Sequence, residues 1–327
     1  MKKVAILAMQ NTMAFSVISP MDVFSQAGVM WNYFHGQKFT PFFDVSLVTS
    51  IGQPFKCLNG VRMVPDGSIH DVQKTDLVVV SSIKDIDKTL SREREVVDWL
   101  KDRYREGSHI ATICSGAFVL AETGLLDGKT ATTHWAFADQ FKKRYPQIRL
   151  KAERLITDEG DLFCSGGYSA AIDLSLYLVE KYCGHEVALQ SSKSLISDMN
   201  RTSQAPYATF QYRKDHGDEH IIMVQEWIEN DFDKNLNYDD LARKIGLSRR
   251  TLARRFKTAT GETPLTYQQN IRVEAAKRFL EKGIRSFDEI TYKVGYEDSS
   301  TFRKIFSKQT GLLPKDYRRK FQRVSDF

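Results

Sequence analysis

Long apolar runs are missing from this 327-residue chain. The longest candidates, Val4 to Met9 and Leu77 to Val80, fall well short of the roughly 18 to 20 residues a membrane helix needs, so no membrane partner is expected. Met1-Lys2-Lys3 before an apolar hexamer imitates a secretion signal, but Gln10 and Asn11 end the run and no small-residue cleavage site follows. A first β-strand is the expectation there. Cysteine is scarce and scattered, at Cys57, Cys114, Cys164 and Cys183, which excludes a disulfide framework and a CxxC metal site and points to reduced thiols in the cytoplasm. The seven histidines form no metal cluster. His216 and His220 stand four apart in a polar stretch that reads as a solvated linker, so neither metal nor cofactor is expected. Glycine-rich phosphate loops and the GxSxG elbow are absent as well, which leaves dinucleotide, P-loop and serine-esterase readings without support.

Charge of one sign is short in the first part of the chain and plentiful in the last. Residues 1–210 hold 23 basic and 23 acidic residues, whereas residues 241–327 hold 21 basic and 9 acidic. A neutral domain beside a concentrated basic one is the asymmetry of a sensor joined to a nucleic-acid-binding module. With 42% hydrophobic and 11% aromatic residues, the chain can bury two cores.

Across the first two hundred residues, short β-rich runs alternate with helical patterns. Strands are expected at Val4–Met9, Phe43–Thr49, Asp76–Ser81 and His109–Cys114, and helices at Pro20–Trp31, Arg92–Tyr104, Gly116–Thr123, Ala136–Arg144, Ala170–Lys181 and Glu186–Ile196. Leu155–Thr157 and Leu162–Cys164 flank a hairpin turn, Asp158-Glu159-Gly160-Asp161. This alternation implies parallel strands with helices on both faces. Ligands in such sheets sit at the carboxyl ends of the strands. Two turns compete for that place, Cys114-Ser115-Gly116 and Cys164-Ser165-Gly166-Gly167; a cysteine there is either activated by the following helix N-terminus or buried and inert.

The segments Ala111 to Trp135 and Cys164 to Leu174 resemble the nucleophile-elbow region of the ThiJ/PfpI, amidotransferase-like superfamily. The resemblance spans roughly residues 3–195. It implies a flavodoxin-like fold, commonly dimeric, with Cys114 as the elbow and with Ser16, Cys114, Ser115, His134 and Trp135 around a ligand. Enzymes of that superfamily place a carboxylate from the first strand-to-helix turn beside the cysteine, and proteases add a histidine directly after it. Here Ser16 and Ser115 stand at those places, so no catalytic residue is assigned and the chain is not expected to be an enzyme.

The last hundred residues repeat with a period of about fifty. Gly261, Pro264 and Tyr267 recur as Gly311, Pro314 and Tyr317, Phe256 as Phe306, and Leu252 as Phe302. Each copy reads helix, glycine turn, helix. In the first, Leu252, Phe256 and Ala259 face inward, and Arg250, Ala253, Arg254 and Lys257 outward, with Arg249 and Arg255 at the flanks. In the second, Phe302 and Phe306 face inward and Ser299, Ser300, Arg303, Lys304 and Ser307 outward. A basic outer face on the second helix of such a pair suits a DNA major groove.

This pattern, with Ile271 to Ala276 and Gly311 to Arg318 as its signature, closely resembles the AraC/XylS-type DNA-binding domain over about residues 221–323. The resemblance implies base contacts from Arg249, Arg250, Ala253 and Arg254, and from Ser299, Ser300, Arg303 and Lys304. The expected architecture is therefore an α/β flavodoxin-like N-terminal domain (1–205), a linker (206–219) and an all-α C-terminal domain with two helix-turn-helix units (220–327). The expected function is sequence-specific binding of double-stranded DNA as a transcription factor. An unidentified small-molecule effector would act through the first domain, with a homodimer, RNA polymerase as partner and a cytoplasmic, nucleoid-associated location. A cysteine-dependent amidase or hydratase fused to a DNA-binding domain is the alternative.

Overall fold

In a computed structural model, which describes residues 1–283 and 285–322, the chain divides between Gln204 and Ala205 into two compact units. The first is built on seven strands: β1 (Lys2–Leu7), β2 (Phe43–Thr49), β3 (Gly67–Ser68), β4 (Leu77–Val80), β5 (His109–Ile113), β6 (Ile156–Asp158) and β7 (Leu162–Ser165). Their spatial order is β6-β7-β5-β4-β1-β2-β3. Every pairing is parallel except the β6–β7 hairpin.

Strand side chains point alternately to opposite faces. Val4 and Ile6 of β1, with Leu77 and Val79 of β4, join one core, where α1 (Phe15–Gln26) contributes Val17, Val23 and Phe24 and α4 (Ala170–Cys183) contributes Leu174 and Leu178. Ala5, Leu7, Val78 and Val80 join the other, against Val96 and Leu100 of α2 (Arg94–Arg105) and Phe118 and Leu120 of α3 (Ala117–Glu122). Helices on both faces account for the near-continuous apolar strands. The helix α5 (His185–Leu195) follows α4 and packs on it. The first helix differs from its expected span, since α1 begins at Phe15 and carries Pro20 inside. Pro20 resembles a first-turn proline in the sequence, but a full turn precedes it, tied by the Ser19 hydroxyl donating to the Phe15 carbonyl at 2.6 Å.

The second unit is all helical: α6 (Glu219–Asn230), α7 (Tyr238–Lys244), α8 (Arg249–Thr260), α9 (Pro264–Lys282), α10 (Phe287–Lys293), α11 (Ser299–Thr310) and α12 (Pro314–Phe321). Two cores reproduce the fifty-residue repeat. Phe256 meets Tyr267 edge-on at 5.3 Å and Phe306 meets Tyr317 edge-on at 5.4 Å. Each tyrosine hydroxyl donates to a glutamate, Glu229 for Tyr267 and Glu281 for Tyr317. The helix α9 serves both cores, Ile271 in one and Val273, Ala276 and Leu280 in the other. Phe232 packs against both.

Residues 206–219, expected as a linker, are packed along this unit. Ala205–Tyr207 form a short 3-10 turn in contact with α11. Phe210 stacks edge-on with Tyr267, the Lys277 ammonium donates to the Ala208 carbonyl, and Gln225 donates to the Arg213 carbonyl. His216 bonds Gln225, and Asp218 caps α6 while pairing with Arg255. The polar composition suggested solvation; these side chains and backbone groups instead find partners on the helices.

Candidate functional site

Two places in the molecule carry the functional candidates. The first is the turn after β5. Cys114 has φ of +57°, a left-handed conformation that a side-chain-bearing residue adopts only under constraint. Gly116 supplies the constraint, because a Cβ there would stand 2.6 Å from the Ser81 carbonyl oxygen. The elbow is therefore pressed against the end of β4. Register places Ser165 of β7 beside Ile113 of β5, so the two competing cysteine turns are neighbours. Cys114 and Tyr168 consequently line the same cavity, of about 850 Å³, together with Met13, Ile83, His134 and Phe137.

Burial dominates the electrostatics at this cavity. Burial pushes the Cys114 thiol up to about 11, against the weaker opposing pull of hydrogen bonds from Ser115 and from the Tyr168 backbone. Among the described residues, no carboxylate or imidazole hydrogen-bonds to the sulfur. The Ser115 hydroxyl is engaged with Ile83, donating to its carbonyl at 2.6 Å and accepting its N–H at 2.9 Å. Ser16 lies behind the wall, wholly buried, donating to the Met13 carbonyl at 2.7 Å and accepting the Ser82 N–H at 3.1 Å. His134 Nδ1 accepts the Ala136 N–H at 3.1 Å, which leaves Nε2 as the donor of a neutral ring; burial lowers its pKa and keeps it neutral.

Of the five residues expected around a ligand, Cys114, Ser115 and His134 are in the cavity wall, Ser16 supports it from behind, and Trp135 flanks His134 without lining the space. Met13, Ile83, Phe137 and Tyr168 were not legible, because each comes from a different turn. Tyr168 had the nearest thing to a signal, lying directly after Cys164-Ser165-Gly166-Gly167. Cys164 is buried in the core, with its thiol raised by desolvation.

The second place is the outer face of the helical repeat. Ser248 caps α8 through the Thr251 N–H, and Asp298 caps α11 through the N–H groups of Ser300 and Thr301. On α8, Leu252 and Phe256 are buried, Arg250, Arg254 and Lys257 are exposed, and Ala253 is half-buried. Arg249 is exposed but pairs with Asp239 at 3.1 Å. On α11, Phe302 and Phe306 are buried, Ser300, Arg303 and Lys304 exposed, and Ser299 half-buried, with the Arg303 guanidinium 5.5 Å above the Phe287 ring. Arg250, Arg254, Lys257, Arg303 and Lys304 have no ion-pair partner among the described residues. Arg255 points inward to Asp218 and is structural.

Sequence reasoning also missed what aligns the two copies. Arg272 of α9 is buried; it donates to the Phe232 carbonyl at 2.6 Å and the Lys234 carbonyl at 2.8 Å, and lies 4.8 Å from the centre of the Tyr296 ring. Gly295 lets this happen, since a Cβ there would fall 1.9 Å from the Asp233 carbonyl oxygen. Among the described residues no helix is long and apolar enough to cross a membrane, and no group of three or more His, Cys, Asp or Glu could hold a metal ion.

Comparison with known proteins agrees with this division. The DJ-1/PfpI family profile matches residues 2–181 and a helix-turn-helix domain profile matches residues 241–320. The HTH-type transcriptional regulator CdhR of Pseudomonas aeruginosa is 28% identical over 270 residues, 82% of this chain and 79% of its own. The regulator GlxA of Rhizobium meliloti is 31% identical over 216 residues, 64% of this chain and 66% of its own. An isonitrile hydratase of Pseudomonas putida is 30% identical over 148 residues, 45% of this chain and 63% of its own. Among solved structures, an AraC family transcriptional regulator from Pseudomonas putida superposes with a TM-score of 0.52 at 21% identity, covering 60% of this chain and all of that one. Drosophila melanogaster DJ-1beta gives 0.51 at 23%, covering 60% and 98%; both show the fold of the first unit.

Proposed function

The chain belongs to the DJ-1/PfpI family and joins to that domain an AraC-type helix-turn-helix domain, and from this premise we propose how a DNA-binding transcription regulator of this kind works. The two capped, outward-facing basic helices are the observation that carries the reading. Arg250 and Arg254 read bases, guanine by preference for a guanidinium, while Lys257 and Lys304 neutralise phosphates and Ala253 meets a thymine methyl. The cavity at Cys114 takes a small effector, and occupancy shifts the population between arrangements that differ in affinity for the operator. We place the protein in the cytoplasm at the nucleoid, as a homodimer that acts on RNA polymerase.

The first unit acts without turnover in this reading. A thiol held near 11, with no carboxylate or imidazole hydrogen-bonded to its sulfur among the described residues, is a poor nucleophile at neutral pH. The partial likeness to a hydratase makes the direct check worthwhile: isonitrile consumption by the full chain that disappears in Cys114→Ser would overturn the non-catalytic assignment.

The regulator reading is tested by selecting a duplex from a random library with the full chain and measuring its binding by fluorescence anisotropy. Binding should weaken steeply with salt. Arg250→Ala should lower affinity for the selected site about tenfold to a hundredfold and leave scrambled duplex little changed. Equal losses on both sequences would make Arg250 a phosphate contact, and no selectable site would defeat the reading.

A further inference from the structure

The second reading helix carries its guanidinium at a different place from the first. At an offset of fifty, Arg250 and Arg254 of α8 become Ser300 and Lys304 of α11, while Ala253 becomes Arg303, the one arginine in α11. A long side chain samples many rotamers before it meets a partner, and ordering it costs affinity. Arg303 is already guided: its guanidinium lies 5.5 Å from the centre of the Phe287 ring, within the range of a cation–π contact. Two nearby carboxylates are engaged elsewhere. Glu289 accepts the N–H and hydroxyl of Ser286, and Asp298 accepts the N–H groups of Ser300 and Thr301.

The ring beneath the guanidinium is itself held. Phe287 is the first residue of α10, whose start is set by the capping box between Ser286 and Glu289. Its ring lies within 8° of parallel to that of Phe302, at 5.7 Å between centres, and meets Phe306 edge-on at 6.2 Å. Both of those side chains are wholly buried, and Phe302 also stacks on Tyr296 at 4.7 Å. Phe287 is half-buried, so part of it remains open to a side chain from α11. The first copy lacks this pair. Tyr238, the first residue of α7, stands where Phe287 does, but its hydroxyl donates to Gln268 at 2.6 Å and the counterpart of Arg303 is Ala253.

We propose that Phe287 is a positioning residue for DNA reading, whose ring holds the Arg303 guanidinium ready to meet the edge of a guanine. A planar guanidinium stacked on a ring keeps its in-plane N–H donors free, so it can rest on Phe287 and bond guanine O6 and N7 at once. The second copy then takes its base preference from one preorganised arginine, where α8 presents several exposed ones. This rests on the DNA-binding reading, and it adds what sets the preference of the second copy.

The test is a double-mutant cycle on the full chain and its selected duplex, with Phe287→Leu, Arg303→Ala and the two together, read by fluorescence anisotropy. Phe287→Leu keeps apolar packing and removes the ring. It should weaken binding about tenfold and flatten the same base-pair preference that Arg303→Ala erases; in the Arg303→Ala background it should change affinity by less than about twofold. Phe287→Tyr, which keeps a ring, should bind as the wild type does. If Phe287→Leu melts below the assay temperature, Phe287→Met, whose thioether fills the space, takes its place. Equal losses in both backgrounds would make Phe287 a packing residue only, and an Arg303→Ala variant with every base preference intact would remove Arg303 from the readout; either result overturns the proposal while wild-type selection of a duplex stands. A wild-type chain that selects no site defeats the regulator reading, and this role with it.

Discussion

Titration of Cys114 offers the sharpest check on the first unit. Burial raises its thiol from the ordinary 9.0 to about 11, so at pH 7 the thiolate fraction falls from about 1 in 100 to about 1 in 10,000, roughly a hundredfold. Alkylation by iodoacetamide, read peptide by peptide by mass spectrometry between pH 6 and 10, should therefore rise about tenfold per pH unit at Cys114, without a plateau. The slope is the measurement, because restricted access lowers the whole curve without bending it. Stability follows from the same shift. The folded value lies above the unfolded one, so the contribution is complete below about pH 9 and is lost as pH rises through about 11; the raised thiols of Cys57 and Cys183 work in the same direction. The melting temperature of the first unit should accordingly decline on the alkaline side. A rate plateau between pH 6 and 8 would show a stabilised thiolate, refute the argument from burial and reopen a catalytic role.

The helical unit yields three further expectations. Gly295→Ala should destabilise by about 3 kcal/mol or more in urea unfolding of the full chain, since it combines a left-handed φ of +84° with a clash at Asp233; Gly246→Ala, at φ +69° with open space around it, should cost only about 1 kcal/mol. Equal costs would remove the steric argument. Arg272→Met should cost about 2 to 3 kcal/mol, because two charge-assisted hydrogen bonds go while Gln268 still satisfies the same two carbonyls; a cost under 0.5 kcal/mol would show that Arg272 does not join the two copies. A fragment beginning at residue 205 should melt well above one beginning at residue 220, which lacks Phe210 and the Asp218 cap and ion pair. Matching melts would return residues 206–219 to the role of linker.

Much of the fold could be read from local pattern. The run at His109–Ile113 became a strand buried on both faces over Ile110 to Ile113, and Phe43–Thr49 became one buried at Phe43 and from Leu47 to Thr49, with Asp44 exposed between. The recurrence of Phe256 as Phe306 and of Tyr267 as Tyr317 gave the repeat, and the ring pairs show why those types recur. The sites were legible only where a motif lay in one stretch, as at Cys114 to Gly116 and along α8. Arg272 was legible only as a member of the Ile271 to Ala276 signature and not by its role, because a polar side chain that satisfies backbone carbonyls of distant loops imposes no spacing on its own neighbourhood. Phe137 and Tyr168 were hidden for the complementary reason: each is an ordinary aromatic until the strand order brings its turn to the cavity. Residues 206–219 keep much of the exposure their polar composition suggests, as at Gln211 and Asp215, while Phe210, His216 and Asp218 find partners on the helices that composition does not show.

The seating of Arg272 between the loop at Phe232 and the ring of Tyr296 has a consequence for the DNA. With both copies built on α9, whose 19 residues span about 28 Å, their rotational phase is fixed as firmly as their separation. One extra base pair between the two contact sites would turn the second by about 35° around the duplex axis. The protein cannot follow such a turn, so the duplex must untwist or bend to restore the contacts. Bases between the contact sites, touched by no side chain, would then be chosen by how readily they deform.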